Sequence, residues 1–373
     1  MKVLFVSNDP SILEDGPTRA RMRAYRDALG ELHIITPAPR TEVIHDGTLH
    51  IYGINTHRFW RAHALEKQAR ALILEHGIHV VSAQDPFEQG IAALRAVQGT
   101  PAKLHIQVHT DFLSPWFVRA GNFRSPVVPT PAINRVRRAL ADQVLPCAQG
   151  VRVVSERIKR SLIARYGAGI TEPVVIPIET SRTPATPVAL PKHPFTFALI
   201  TVGRLEPEKR IEDIIAALIS LKDQYPAVGL FIVGEGRERS RLERMVRDAR
   251  LTDRVIFLGA RVDAPGLMAS AQAYIQASAY EGYGRTLVEA ALAGVPIITT
   301  DVGIVGEVFR GYEEVLAAPV ADPAALALHI RGLVEDMRAR TELSMHAKTA
   351  VEKHLTETDA SAAAIAQDLA RLI

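Results

Sequence analysis

The stretch FTFALITVGRLEPEKRIEDIIAAL, residues 195–218, joins an apolar strand to an amphipathic helix through a short polar turn. The run FTFALITVGR is typical of a buried strand in a parallel sheet, and Pro207 suits the first position of a helix. Four apolar residues at helical spacing mark the buried face of that helix: Ile211, Ile214, Ile215 and Leu218. The stretch therefore predicts a strand and a helix beginning near Pro207, the repeating unit of an α/β sheet.

The same alternation runs through both halves of the chain, and KVLFVSN at residues 2–8 opens the first half as FTFALITVGR opens the second. It predicts an α/β fold with parallel sheets. The predicted strands are 2–7, 32–36, 78–83, 103–108, 151–154, 174–176, 195–202, 228–233, 254–258, 273–276 and 295–299. The predicted helices are 17–29, 59–76, 88–97, 131–141, 155–165, 207–222, 238–250, 264–270, 285–293, 303–309, 323–336, 338–354 and 359–372.

A length of 373 residues exceeds one ordinary core and predicts two domains. PIETSRTPATPVALPKHP, rich in proline and without a period, predicts a semi-extended linker between them. We predict two Rossmann-like, doubly wound domains at 1–180 and 195–354, a linker at 181–194, and a final helix within 355–373 that can cross back to the first domain. Such sheets bind ligands beyond the carboxyl ends of their strands, so we expect the domains to face each other across a ligand-binding cleft.

Composition excludes several classes of protein. A hydrophobic fraction of 47% and a charged fraction of 23% are those of a globular protein, and no apolar run is long enough to span a bilayer. We expect a cytoplasmic protein. The single cysteine, Cys147, cannot form an internal disulfide, and the 13 histidines show no metal-binding spacing, so we expect no metal site.

The two halves differ in charge. Residues 1–190 carry 23 Lys and Arg against 16 Asp and Glu, whereas residues 191–373 carry 21 against 25. A basic half can favour an anionic partner or membrane surface, although scattered solvated charges explain the same asymmetry.

Arg204 at the strand tip and Lys209 in the predicted first helical turn place two cations where the helix dipole disfavours them. A bound anion such as a diphosphate would resolve that conflict; ordinary surface charge is the alternative. In LFIVGEG, Gly234 and Gly236 follow the predicted strand. They could form a tight turn or let the backbone approach a phosphate, and both interpretations are open. Because neither this turn nor the first strand's loop completes G-x-G-x-x-G, a nicotinamide dehydrogenase is not supported.

SAYEGYGRTLVEAALAGVPII, residues 278–298, places Glu281 just past a strand and Glu289 in the second turn of a helix that begins near Arg285. Glycines let the backbone approach a ligand, and the free N–H groups at Gly284 to Leu287 join the two carboxylates around one anionic, polyhydroxylated ligand. Either glutamate alone could simply complement the helix dipole.

These motifs resemble those of the family 4 retaining glycosyltransferases of GT-B fold. The matching segments are GRLEPEK, the E-x7-E segment EGYGRTLVE, VIFLGARV and EAALAGVPIITTDVGIVGEV, with thinner matches at AQDPFEQG and LHIQVHTDF. The resemblance implies an N-terminal acceptor-side domain and a C-terminal donor-binding domain. The glycine-rich first loop is reduced to Gly16, Arg210 replaces a glycine, and PIETS replaces the usual hinge segment.

The resemblance also implies a role for each site residue. Arg204 and Lys209 would hold the donor diphosphate, Glu281 the donor sugar and Glu289 the ribose. His109 would lie near the donor sugar and acceptor, although a satisfied polar residue at a strand end is the alternative. The backbone of Arg261 and Val262 would meet the base. The remaining predicted donor-binding residues are Gly16, Gly203, Gly234, Arg261, Val262, Gly284, Arg285, Thr286 and Leu287.

By this resemblance the chain is a hexosyltransferase. A hexosyl unit would pass with retention from a nucleoside-diphosphate sugar to a hydroxyl of a lipid-linked, glycan or small-molecule acceptor, without metal or cofactor. A non-catalytic nucleotide-sugar binding protein, a sugar-nucleotide epimerase and a glycosidase using the two glutamates are the rivals. Three basic stretches at 19–29, 57–70 and 134–140 could dock an anionic membrane at its inner face, or could simply pack on the sheet. No nucleic-acid motif is present.

Overall fold

A computed structural model describes residues 1–119, 130–180 and 185–373, and the chain divides into two compact units. The first unit comprises Met1–Glu179 together with Asp359–Ile373, and the second comprises Thr180–Thr358. Of the predicted linker, residues 181–184 lie outside the described residues, and residues 185–194 belong to the second unit. The Val188 N–H donates to the Gly266 carbonyl (2.9 Å), which holds this segment against the second unit.

The first unit contains an eight-stranded sheet in the order β3-β4-β2-β1-β5-β6-β7-β8. Its strands are β1 (Lys2–Val6), β2 (Glu31–Pro37), β3 (Glu42–Asp46), β4 (Leu49–Ile54), β5 (Val80–Ala83), β6 (Lys103–Val108), β7 (Gly150–Val153) and β8 (Val174–Val175). Its helices are α1 (Pro17–Leu29), α2 (Arg61–His76), α3 (Glu88–Val97), α4 (Pro115–Val118), α5 (Thr130–Val144), α6 (Glu156–Tyr166) and, from the end of the chain, α13 (Ala362–Ala370). All strand pairs in this sheet are parallel except β3 with β4.

The β3–β4 hairpin was missing from the sequence prediction. Gly47 and Thr48 form its two-residue turn, and Gly47 has φ 61°. Glycine at the first position of a two-residue turn is a local signal for a hairpin, because glycine adopts positive φ without a steric penalty. The hairpin adds the antiparallel edge to an otherwise parallel sheet.

Helix α13 packs into the core of the first unit. Ile365 and Leu369 are buried in the same cluster as Val3, Phe5 and Met22. Burying two such aliphatic side chains contributes about 3–6 kcal/mol by area. The end of the chain is therefore a structural part of the first unit.

The second unit contains a six-stranded parallel sheet in the order β11-β10-β9-β12-β13-β14. Its strands are β9 (Phe197–Val202), β10 (Val228–Val233), β11 (Val255–Gly259), β12 (Ala273–Ile275), β13 (Ile297–Thr300) and β14 (Leu316–Ala318). Its helices are α7 (Ile211–Leu221), α8 (Arg239–Asp248), α9 (Ala264–Ala269), α10 (Arg285–Leu292), α11 (Pro323–Glu335) and α12 (Met337–Glu357). The α/β class with two sheets of parallel strands is thus confirmed, and β14 is an addition.

One helix prediction in the second unit began too early, and another was wrong. Residues Pro207–Lys209 form a 3-10 turn, and α7 begins only at Ile211, after Arg210 in the left-handed conformation (φ 48°). The Arg210 guanidinium is held by the Asp213 carboxylate through two hydrogen bonds of 2.6 and 2.9 Å, which fixes this start. Residues 303–309 form turns and an isolated bridge between Val305 and Phe309 instead of a helix.

No helix among the described residues is long and apolar enough to cross a membrane.

Candidate functional site

An ion pair joins the two segments that the sequence singled out in the second unit. Lys209 Nζ lies 2.5 Å from Glu281 Oε1, and the Ser278 hydroxyl donates to the same oxygen at 2.7 Å. The side chains of Lys209 and Glu281 are only 21% and 15% exposed. Because partial burial limits solvent screening, this pair is held more firmly than a surface salt bridge.

Arg204 is connected to the segment that carries this pair through an ion pair with Glu208. Its guanidinium bonds Glu208 Oε1 at 3.2 Å, while its own side chain is 73% exposed. The Glu208 carbonyl accepts from the Ala279 N–H at 2.7 Å, so the turn carrying Arg204 and Lys209 is bonded to the loop carrying Glu281. Lys209 belongs to the 3-10 turn rather than to the first turn of α7, which corrects the predicted placement. The dipole at the start of α7 instead meets Glu212 and Asp213.

Helix α10 begins at Arg285, after the N-cap residue Gly284, whose φ of 94° favours glycine. Glycine has no side chain to cap a helix, and the N–H groups of the first turn, at Arg285 and Thr286, have no acceptor within the helix by geometry. The Leu287 N–H bonds the Gly284 carbonyl at 2.8 Å and closes that turn. This end of α10 thus offers N–H donors and the positive end of a dipole.

Glu289 occupies the second turn of α10, as predicted. Its carboxylate accepts from the exposed Arg285 at 2.7 Å and is itself 16% exposed. Burial raises the pKa of Tyr274, and the negative charges of Glu289 and Glu281 both add to that rise. Both carboxylates therefore lie close enough to act on the same phenol.

The glycines of the β10 loop serve backbone packing. A Cβ at Gly234 would lie 1.8 Å from the Gly203 carbonyl oxygen, and one at Gly236 would lie 2.3 Å from that of Leu205. The Gly203 N–H itself donates to the Val233 carbonyl at 3.0 Å. The tight-turn interpretation thus has a direct steric cause: these glycines let two loops at the carboxyl edge of the sheet touch.

Arg261 and Val262 follow β11 on the surface of the second unit. The Arg261 guanidinium bonds both oxygens of Asp263 at 2.7 and 2.8 Å, and the Val262 side chain is fully exposed. Both residues are exposed, and no hydrogen bond or ion pair among the described residues joins them to the Lys209–Glu281 pair.

Gly16 and His109 belong to the first unit. Gly16 caps α1 in extended backbone, and a Cβ there would meet open space among the described residues, so packing does not require glycine. His109 follows the carboxyl end of β6. Burial first, then the charges of Arg152 and Arg21, lower the pKa of His109 to about 3. The imidazole is therefore neutral at physiological pH.

The hydrogen bonds of His109 also define its tautomer. Its Nε2 lies 3.1 Å from Gln107 Oε1, an oxygen that already accepts from Arg152 Nη1 at 2.8 Å. The Gln107 amide nitrogen donates to Ser82 at 3.0 Å, which fixes the amide orientation. His109 must therefore donate from Nε2 and present Nδ1 as an acceptor.

Two features of this region were missed by sequence reasoning. Gln107 alternates with His105 and His109 along the buried strand β6, and that period-2 run of polar residues was the available signal. Asp85, just past the neighbouring β5, accepts from the Phe87 N–H at 2.7 Å, and burial raises its pKa to about 7. A perturbed carboxyl beside a strand end marks a candidate functional group.

Comparison with known proteins gives two family models that together match most of the chain. The model described as Glycosyl transferases group 1 matches residues 189–350, and the model Glycosyltransferase Family 4 matches residues 21–178. A glycogen synthase of Mycobacterium tuberculosis is 32% identical over 216 residues, which are 56% of this chain and 51% of that protein. The 2-deoxystreptamine glucosyltransferase of Streptomyces kanamyceticus is 28% identical over 63% of this chain and 69% of its own length. The chain thus spans about half the length of that glycogen synthase.

Solved structures show the same fold. A sucrose-phosphate synthase of Thermosynechococcus elongatus superposes with a TM-score of 0.79 at 21% identity, covering 100% of this chain and 98% of that one. HepE of Anabaena, in complex with UDP-glucose, superposes with a TM-score of 0.69 at 20% identity over 100% and 98% of the two chains.

Proposed function

The chain belongs to glycosyltransferase family 4, and from this premise we propose that it transfers a hexosyl unit from a nucleoside-diphosphate sugar to an acceptor hydroxyl. The proposed transfer retains the anomeric configuration and uses no metal or cofactor. The observation that carries the proposal is the 2.5 Å pair of Lys209 and Glu281, which joins the basic turn after β9 to the E-x7-E loop before α10.

The positive charges of Lys209 and Arg204 suit a diphosphate leaving group. The Arg204–Glu208 pair is exposed and screened by solvent, so a diphosphate can compete for that guanidinium at little cost. Lys209 is already fixed by Glu281, and charges fixed before the reaction stabilise developing negative charge without reorganisation. The N–H groups at the start of α10 add a third source of positive potential. Together these groups supply the charge neutralisation that a divalent cation would otherwise provide.

The two glutamates suit the hydroxyl groups of the donor. Carboxylates accept strongly from sugar hydroxyls, and the low exposure of Glu281 and Glu289 strengthens such bonds. We assign Glu281 to the hexose and Glu289 to the ribose; Arg285, which is 60% exposed, can leave Glu289 when the donor binds.

In the proposed reaction the bond between the anomeric carbon and the diphosphate oxygen breaks while the acceptor oxygen bonds to the same face of that carbon. The acceptor's proton passes to a phosphate oxygen of the leaving diphosphate. The protein supplies position and charge.

Incubation with a panel of nucleoside-diphosphate sugars tests the proposal, and UDP-glucose comes first because HepE is similar to this chain and is known in complex with it. Free nucleotide is measured with and without glycan, lipid-linked and small-molecule acceptors, and proton NMR reports the anomeric configuration of the product. We expect acceptor-dependent release that survives EDTA. Donor binding without turnover under every acceptor would favour a binding protein, and a converted sugar still attached to nucleotide would favour an epimerase.

Contact with an anionic membrane is part of the proposal. The basic stretch at 57–70 carries two exposed aromatic side chains, Phe59 (74%) and Trp60 (68%), at the start of α2. Aromatic side chains beside cations suit the interface of an anionic membrane, where the proposed lipid-linked acceptor would lie. We expect co-sedimentation with anionic liposomes that a Phe59→Ala/Trp60→Ala variant loses. Sedimentation of neither protein would remove membrane contact, and equal sedimentation of both would assign that contact to residues other than Phe59 and Trp60.

A further inference from the structure

Three histidines form a row across the edge of the first sheet. His33 of β2 is the parallel register partner of His50 of β4, and His50 is the antiparallel partner of His45 of β3. Register partners project from the same face of a sheet on strands about 4.8 Å apart. The three imidazoles therefore lie side by side, and Glu31, two residues before His33 on the same strand, shares their face.

The polar atoms of this row converge. Glu31 Oε1 lies 2.9 Å from His33 Nε2, and His45 Nδ1 lies 2.8 Å from His50 Nδ1. One ligand atom from each of Glu31, His33 and His50 lies within 4.8 Å of the other two. Around a tetrahedral zinc ion with bonds of about 2.0–2.1 Å, neighbouring ligand atoms are about 3.3 Å apart. Small adjustments of these side chains would therefore place one ion among them.

We propose that Glu31, His33 and His50 hold a zinc ion, and that His45, whose Nδ1 lies 2.8 Å from that of His50, turns inward to become the fourth ligand. Three imidazoles and one carboxylate are a donor set that zinc accepts in four-coordinate sites. The site lies near the amino end of β2, whereas the ligand-binding loops of such sheets follow the carboxyl ends. Zinc here would clamp the β3–β4 hairpin to β2 and would take no part in the proposed transfer.

Neighbouring groups suit the outer shell of such a site. His33 Nδ1 lies 3.2 Å from the Tyr52 hydroxyl, so a proton on Nδ1 leaves Nε2 for the metal. Lys2 Nζ lies 3.3 Å from the second oxygen of Glu31 and orients that carboxylate. His33 is fully buried while His45 is exposed, which gives the ion a route from solvent.

The row also explains why sequence spacing pointed to no metal. Its ligands come from three strands, and His45 and His50 flank a hairpin turn rather than one helical face. His45 Nδ1 and His50 Nδ1 lie 2.8 Å apart, where an N–H of one ring can donate to the other ring. A bound cation would replace that proton and accept both lone pairs.

Titration of the untagged full-length chain, stripped with EDTA and then freed of it, tests the proposal. We expect one equivalent of Zn²⁺ to bind and to raise Tm, and Co²⁺ to bind in its place with visible absorption bands of tetrahedral coordination. His45→Ala changes an exposed ring and should fold normally, yet it should weaken Zn²⁺ binding at least tenfold. Tyr52→Phe should weaken it by about 10–100-fold through the outer shell.

His63→Ala is the matched control, since His63 is an exposed histidine of the same unit. It should bind Zn²⁺ as the unaltered chain does. The proposal is overturned if the unaltered chain binds no stoichiometric Zn²⁺ at micromolar concentration, or if His45→Ala binds it as tightly as His63→Ala. Circular dichroism of each metal-free variant separates lost ligation from lost folding.

Discussion

Replacing Lys209 or Arg204 with methionine should separate a structural charge from a functional one. The side chains of Lys209 and Glu281 are only 21% and 15% exposed, so Lys209→Met leaves the largely buried Glu281 carboxylate without its cation. Removing one partner of a fully buried pair costs about 3–5 kcal/mol; with this residual exposure we expect about 1–2 kcal/mol. For a unit of this size that corresponds to a fall in Tm of about 3–6 °C.

Arg204→Met should leave stability almost unchanged. The Arg204 side chain, which pairs with Glu208, is 73% exposed, and such exposed ion pairs contribute about 0–1 kcal/mol to stability. Both variants should nevertheless lose turnover by about 10²–10³-fold, since each removes a cation that the proposed function assigns to the leaving diphosphate. Arg338→Met, which removes an 86% exposed arginine paired with Glu342 on α12, is the matched control and should change neither quantity.

Differential scanning fluorimetry and nucleotide release from the active donor measure the two effects, and calorimetry with UDP measures the loss of diphosphate affinity. A double variant, Lys209→Met with Glu281→Gln, removes the stranded charge and should recover most of the Tm without recovering turnover. If Lys209→Met lowers Tm as expected but keeps turnover and UDP affinity within twofold, the pair is structural. If Arg204→Met behaves as Arg338→Met does, Arg204 is an ordinary surface charge.

The remaining predictions concern substitutions at five positions. Glu281→Ala should lower kcat more than it raises KM for the donor, whereas Glu289→Ala should chiefly raise KM; equal changes in both variants would contradict the division between hexose and ribose. Asp85→Asn should keep transfer within about tenfold if a donor phosphate takes the proton, because a general base contributes about 10²–10⁴-fold. Because burial lowers the pKa of His109 to about 3, the unfolded ring takes up a proton below about 6.5 while the folded ring does not, so stability falls as pH drops through that window. Urea unfolding at pH 7 and pH 5 should show a smaller acid loss in His109→Ala, and an unchanged loss would refute the lowered pKa. Gly234→Ala should lower Tm or prevent folding, since its Cβ would lie 1.8 Å from a carbonyl oxygen; a normal Tm would show that the loops separate easily.

Strong local periodicity let the sequence predict most elements. The apolar strands and the amphipathic helices carry their own signals, and α10 was predicted to begin at Arg285, where it does begin. One failure occurred where a side-chain contact decides the start of a helix. Pro207 suggested a helix start, but Arg210 in the left-handed conformation, bonded to Asp213, moves the start to Ile211.

The second limit of the sequence prediction is that it does not show which site residues contact each other. Sequence motifs selected Lys209 and Glu281 independently, but they lie 72 positions apart, and only the parallel strand order β9-β12 brings their loops together. Ser278 and Glu208 were passed over because a lone serine and a lone glutamate carry no spacing signal. The same holds for Asp368 of α13, which bonds His105 at 3.1 Å across 263 positions.

His109 and Asp85 of the first unit can be compared with the leaving diphosphate as acceptors of the acceptor's proton in the proposed transfer. His109 donates from Nε2 to Gln107, so only Nδ1 remains, and a ring with a pKa of about 3 is a weak base. It can accept a hydrogen bond from a hydroxyl but gains little by taking its proton. Asp85, with a pKa of about 7, is a stronger base, but its carboxylate is already engaged by the Phe87 N–H. A leaving diphosphate gains basicity as its bond to the sugar breaks, so it becomes the better proton acceptor at the moment one is needed. In the proposed transfer, neutral His109 would orient a hydroxyl, and the cations Lys209 and Arg204 would affect the rate through the diphosphate.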